Sequence, residues 1–200
     1  MKKRLCTLTI ICLLMGGLSA CGTNNTSQAS NSPAQSPTTH KPQPSPSKNT
    51  RGNLVKHIGE TAGIRKSESS QTLIAQWNVN SITIDQQCTV ENHKPPADGH
   101  HLVGLDIDAS TTKDFTEPEY GVLMLGSPAA WKFISSDGTL SNSTLISDSS
   151  ENCLPQEQLL PYNIGQGLRA HGIVVLDAPS TDGFLRYSNG PSTGWEYPLS

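Results

Sequence analysis

The sequence lacks the short signatures of the common catalytic sites. It has no Gly-x-Ser-x-Gly elbow, no His-Glu-x-x-His, no Cys-x-x-Cys and no phosphate-binding loop. Sustained helical periodicity is nearly absent, which argues against a helix bundle; Pro155 to Leu160 reads as a single turn. Aromatic residues make up only 5% of the chain, and charged residues 16%. No acid occurs in residues 22–50, and only Ala29 and Ala34 are apolar there. One Ser-x-x-Lys, Ser45-Pro46-Ser47-Lys48, falls in or beside that stretch, where nothing would hold the pair in catalytic geometry. The expectation is a chain that is not an enzyme and carries no cofactor.

What is present begins with Met1-Lys2-Lys3-Arg4, followed by an apolar run from Leu5 to Leu18. A charged start and a short greasy segment make a secretory signal, and the run is shorter than the ~20 apolar residues of a spanning helix. Leu18-Ser19-Ala20-Cys21 then places small residues before a cysteine thiol. The pattern resembles the lipobox of bacterial lipoproteins. That resemblance implies cleavage of residues 1–20, acylation of Cys21 by diacylglycerol and palmitate-type chains, and anchorage on the extracytoplasmic face of the cell membrane. Two or three chains, at roughly 0.8 kcal/mol per buried CH₂, anchor stably. An ordinary secretory signal with a chance cysteine is the alternative.

Without residues 1–20 the formal charge of −3 becomes −6, because Lys2, Lys3 and Arg4 are lost. The remaining charge is segregated. Residues 41–66 hold six Lys or Arg against Glu60, whereas residues 67–200 hold five against sixteen acids. A basic stalk therefore leads to an acidic head. The stalk suits anionic lipid or wall polymer, and the head has no basic, aromatic patch for nucleic acid. Residues 22–50 cannot bury enough surface to offset backbone entropy, so a disordered linker is expected over 21–66. Within it, Leu54, Val55 and Ile58 are compatible with one or two helical turns, weakened by Gly52, Gly59 and Gly63. Cys6 and Cys12 leave with the signal, and Cys21 is acylated. Cys88 and Cys153 remain, an even pair that suggests one disulfide in an exported domain.

From Ser67 onward alternation dominates, with turn residues between segments. Leu73, Ala75, Trp77 and Val79 alternate, as do Val103, Leu105, Ile107 and Ala109, with His100, Asp106 and Asp108 opposite. Val122–Leu125, Trp131–Ile134, Ile173–Leu176, Phe184–Tyr187 and Trp195–Tyr197 are further short runs. Ser136-Asp137-Gly138-Thr139 is a hairpin turn. Seven or eight short strands over residues 67–200 predict an all-β, two-sheet antiparallel sandwich.

The run Gly167-Leu168-Arg169-Ala170-His171-Gly172-Ile173-Val174-Val175-Leu176-Asp177-Ala178-Pro179 is similar to a family signature. So are Leu102–Ala109, as a long central strand, and Phe133–Gly138, as a strand and turn. Together residues 70–198 resemble the telokin-like, immunoglobulin-like domains of Gram-positive lipoproteins often labelled DUF4352, and the MPT63-like secreted antigens. The central strand departs from that pattern, ending Ala109-Ser110-Thr111-Thr112 rather than in Asn-Thr. The resemblance implies an extracytoplasmic immunoglobulin-like fold and no catalytic residues.

His100, Asp106 and Asp108 are the candidate metal ligands, because an extended strand puts all three on one face. His101, Asp98, Asp114, Glu117 and Glu119 stand near them in sequence, and oxygens of this kind suit Ca²⁺. A solvated strand face is the plainer reading. Trp77, Trp131 and Trp195 read as core residues, although Trp131, at a strand start, is a candidate exposed platform for carbohydrate or a partner. The functional expectation is a lipid-anchored extracytoplasmic protein with a binding or structural interaction role at the cell envelope, its partner an envelope protein or wall polymer. A metal- or small-ligand-binding lipoprotein and an accessory module on wall polymer are the alternatives.

Overall fold

The computed structural model describes residues 48–116, 121–189 and 194–199. The signal segment, Cys21, the linker up to residue 47, Glu117 and Glu119 lie outside them. Eight strands run in the order β1 (Leu54–Val55), β2 (Ala62–Arg65), β3 (Leu73–Ile84), β4 (His101–Thr111), β5 (Trp131–Ser135), β6 (Arg169–Ala178), β7 (Gly183–Tyr187) and β8 (Trp195–Pro198). A single-turn helix, α1 (Asp148–Glu151), and two 3₁₀ turns, Pro128–Ala130 and Gln156–Gln158, interrupt them. One sheet has the order β1-β8-β7-β5 and the other β2-β3-β4-β6. The fold is the expected all-β, immunoglobulin-like sandwich. Its pairings are antiparallel except β1 with β8, which is parallel. Among the described residues no helix is long and apolar enough to cross a membrane.

Side-chain alternation builds the core. Trp77 and Val79 of β3, and Val103, Leu105, Ile107 and Ala109 of β4, face Phe133, Leu185, Tyr187, Trp195 and Tyr197 of the other sheet. Seven of the chain's ten aromatic residues lie in this core. Trp77 meets Trp195 and Tyr187 edge-on, with ring centroids 4.8 and 5.3 Å away. Edge-to-face pairs of this kind add about 0.5–1.5 kcal/mol each beyond their buried area.

Three expectations need correction. First, the sandwich takes in residues the sequence placed in the linker. Residues 54–55 and 62–65 are strands, not helical turns. Gly52 and Gly59, both at φ +80°, make the turns between short extended pieces. Gly63 packs so closely that a Cβ there would stand 2.5 Å from the Ala75 carbonyl oxygen. The described boundary is therefore near Lys48 rather than Ser67. Second, Trp131 is fully buried and offers no exposed platform. Its ring packs on Tyr187, and its Nε1 donates to the Leu125 carbonyl at 2.9 Å. Third, Val122–Leu125 is not a strand; Leu123 makes one isolated bridge to Ile164 and sinks into the core.

Candidate functional site

The outer face of the β2-β3-β4-β6 sheet is divided into two halves. Towards one end Leu102 of β4 and Ile173 and Val175 of β6 point outward, and Cys153, Leu154, Cys88 and Leu159 cover them. Cys88 and Cys153 are bonded, with Cα atoms 4.3 Å apart. The bridge pins the segment after β3 to the segment after α1. A capping box at Ser147 and Ser150 starts α1 and orients that cover. Gly172 lets residues 159–160 close against β6, since a Cβ there would meet the Leu160 nitrogen at 2.6 Å. Leu160 N then donates to the Ile173 carbonyl at 3.0 Å.

The other half is uncovered and polar. Strand register sets its rows: Gln76, Ser110 and Arg169 form one rung, and Asn78, Asp108 and His171 the next. These six side chains line an open depression of about 570 Å³. Asp106 sits diagonally beyond, one outward position along β4. His171 Nδ1 lies 3.1 Å from Asp108 Oδ1 and 3.8 Å from Asp106 Oδ1. Asn80 Nδ2 donates to both carboxylates at 2.9 Å, because a shift of register between Val79 and Ser81 turns Asn80 towards them. Arg169, one rung away, has no acidic partner among the described residues. The Oδ1 of Asn78 is buried without a hydrogen-bond partner among them.

The expected metal set does not assemble. His100 pairs with the buried Asp177 at 2.7 Å, and His101 with Asp85 at 2.7 Å. His100 shares the outward parity of Asp106 and Asp108, but six residues at ~3.3 Å each separate His100 from Asp106 by about 20 Å. The disulfide-capped apolar patch stands between them. Asp114 pairs instead with Lys66 at 3.2 Å. Among the described residues, no group of three or more His, Cys, Asp or Glu is arranged to hold a metal ion. Asp106 and Asp108 were visible in the sequence; Arg169, His171, Asn78 and Asn80 were not singled out. The usable signal was polar alternation in Arg169-Ala170-His171-Gly172, which sets 169 and 171 on one face.

No protein-family model matches the chain, and no curated protein matches it. Among solved structures it is similar to MPT63, a secreted protein from Mycobacterium tuberculosis, with TM-score 0.40 and 11% identity over 72% of this chain and 97% of that one. It is similar also to an uncharacterized β-sandwich protein from Clostridium difficile 630, with TM-score 0.39 and 13% identity over 78% and 100% of the two chains. A conserved hypothetical protein from Bacillus anthracis gives TM-score 0.36 and 10% identity over 68% and 95%. These are distant likenesses and assign no activity.

Proposed function

We propose that the chain is an exported, lipid-anchored binding module, held on the extracytoplasmic face of the cell membrane through Cys21. In this reading it recognises a small zwitterionic group, such as the charged end of a peptide, in the polar depression. The carrying observation is the juxtaposition there of the Arg169 guanidinium with Asp108 and His171 on the neighbouring rung, with Asp106 just beyond them. A carboxylate suits the planar, five-donor fork of Arg169, and an ammonium suits the paired aspartates. Asn78, Gln76 and Ser110 offer amide and hydroxyl groups between them. A concave site with a few convergent polar groups is the ordinary form of a ligand site, and this volume lies in the usual range.

Binding fits better than catalysis. His100, His101 and His171 each face an aspartate through Nδ1, His93 faces the Val90 carbonyl, and among the described residues no hydrogen bond joins these imidazoles to a hydroxyl or thiol. Trp77, Trp131 and Trp195 are buried, so none of them offers a stacking platform for wall polysaccharide. Envelope peptides, whether on wall polymer or on an exported protein, are the partners this chemistry fits. The test is a titration of the full chain with a tripeptide bearing free termini, against the same tripeptide N-acetylated and C-amidated. Saturable binding of the first alone supports the proposal; equal binding, or none, overturns it.

A further inference from the structure

The opposite sheet holds a buried charge that the polar depression does not use. Glu196 is the outward-facing residue of β8, yet its side chain is wholly inaccessible. What covers it comes from the segment just before β1. Asn49 Nδ2 donates to its Oε2 at 2.8 Å, Asn53 Nδ2 to its Oε1 at 2.6 Å, and Arg51 Nε to its Oε1 at 3.0 Å. Arg51 Nη2 bonds Oε2 as well, making the guanidinium bidentate. The Arg51 guanidinium also stacks 4.9 Å over the ring of Phe184. Asn53 Oδ1 in turn accepts from Arg186 Nε at 3.2 Å and from Gly194 N at 2.9 Å. Residues 48–54 thus fold as a tight loop across the outer face of the sheet, closed by Asn49 N to the Asn53 carbonyl at 2.8 Å.

We infer that residues 48–56 are a strap that leaves the sandwich as one unit, with the Glu196 carboxylate as its lock, before the sandwich itself unfolds. Three observations carry this. Strand β1 is two residues long and pairs only with β8. Its contribution to the main core is Leu54 alone, at the margin, whereas Trp195 and Tyr197 of β8 are fixed by β7 and by the aromatic cluster. Four side-chain hydrogen bonds from the strap converge on the Glu196 carboxylate, with the Asn53 Oδ1 contacts and the Arg51–Phe184 stack beside them. Few buried apolar contacts are the profile of a sub-global opening unit. Release adds nine residues, at most about 3.5 Å each when extended, to the chain ahead of the head, and it opens the edge of β8.

The test is hydrogen exchange on the full chain, comparing wild type with E196Q. The amides of Leu54 and Lys56, which donate to the Gly194 and Glu196 carbonyls, are the reporters. The expected result is at least tenfold faster exchange at these two in the variant, with β3 and β4 amides unchanged. R51A, which leaves the carboxylate in place, gives the same readout where E196Q fails to fold. Acceleration shared equally by β3 and β4, or no acceleration at Leu54 and Lys56, would overturn the inference.

Discussion

Trp77 Nε1 donates to the Tyr197 hydroxyl at 2.9 Å, and this bond joins the two sheets through the core. Both residues are buried. Replacing Tyr197 with Phe keeps the ring and strands the indole N–H, which costs about 1–3 kcal/mol. Denaturant unfolding followed by tryptophan fluorescence should show that loss; unchanged stability would mean the bond contributes nothing. Burial raises the Tyr197 hydroxyl above its ordinary 10.0, with the bond from Trp77 opposing. A raised folded-state pKa gives stability that is complete below pH 10 and lost as pH climbs past it. Tyr197 should therefore miss the phenol absorbance step near pH 10 while the fold persists.

Reducing Cys88–Cys153 removes the pin on the covered half of the outer sheet face. The loop spans 65 residues. Chain-entropy reasoning assigns such a closure on the order of 4 kcal/mol. The double variant C88S/C153S should melt lower, and intact mass of the oxidised chain should fall two hydrogens short of the reduced one. Free thiols in the protein isolated without reductant would remove the bridge from the account.

Acid should weaken the Glu196 lock. Burial by itself pushes this carboxyl up, but hydrogen bonds from Arg51, Asn53 and Asn49, together with the Arg51 charge, hold it below the ordinary 4.5. Arg51 is raised correspondingly by its bond to Glu196. The other cation near the cluster is Arg186, which reaches it through Asn53. A depressed carboxylate contributes fully above its unfolded value and is lost as pH falls through its folded one. Wild-type stability should thus drop below pH 4.5 more steeply than that of E196Q. Arg51 stays solvated when Glu196 is neutralised, so E196Q should lose only the charge assistance of these hydrogen bonds, about 1.5–3 kcal/mol at pH 7. Parallel acid profiles for the two would contradict the assignment.

Cys21→Ser should abolish lipid attachment. Expressed in a bacterium with its export system intact, the native chain should partition with membranes and carry added acyl mass. The variant should lose that mass and leave the membrane fraction. Membrane association unaffected by C21S would remove lipid anchoring from the proposal.

Much of the sandwich was legible because a period of two reports directly which face a residue occupies. Val103, Leu105, Ile107 and Ala109 all point into the core, and Asp137-Gly138 makes the turn, with Gly138 at φ +90°. Strands β1 and β2 were not legible: two and four residues are too few to show alternation, and the spacing of Leu54, Val55 and Ile58 suggested a helical turn, weakened by glycines, instead. The site divided similarly. Parity correctly placed Asp106 and Asp108 on the outside, but parity holds no distance, so it also grouped His100 with them. His171 meets the aspartates, and Arg169 comes to lie one rung away, through the pairing of β4 with β6, which is a relation between segments more than 50 residues apart.

The most direct test of the binding account is a nitrogen-15 NMR titration of the full chain with the free-ended tripeptide, run on wild type, R169A and D108N. Saturable shifts should appear at Asn78, Asp108, Arg169 and His171, with affinity weakened at least tenfold in either variant while the melting temperature moves little, since all of these side chains are on the surface row. Shifts scattered over both sheets, or wild-type affinity retained in R169A and D108N, would contradict it.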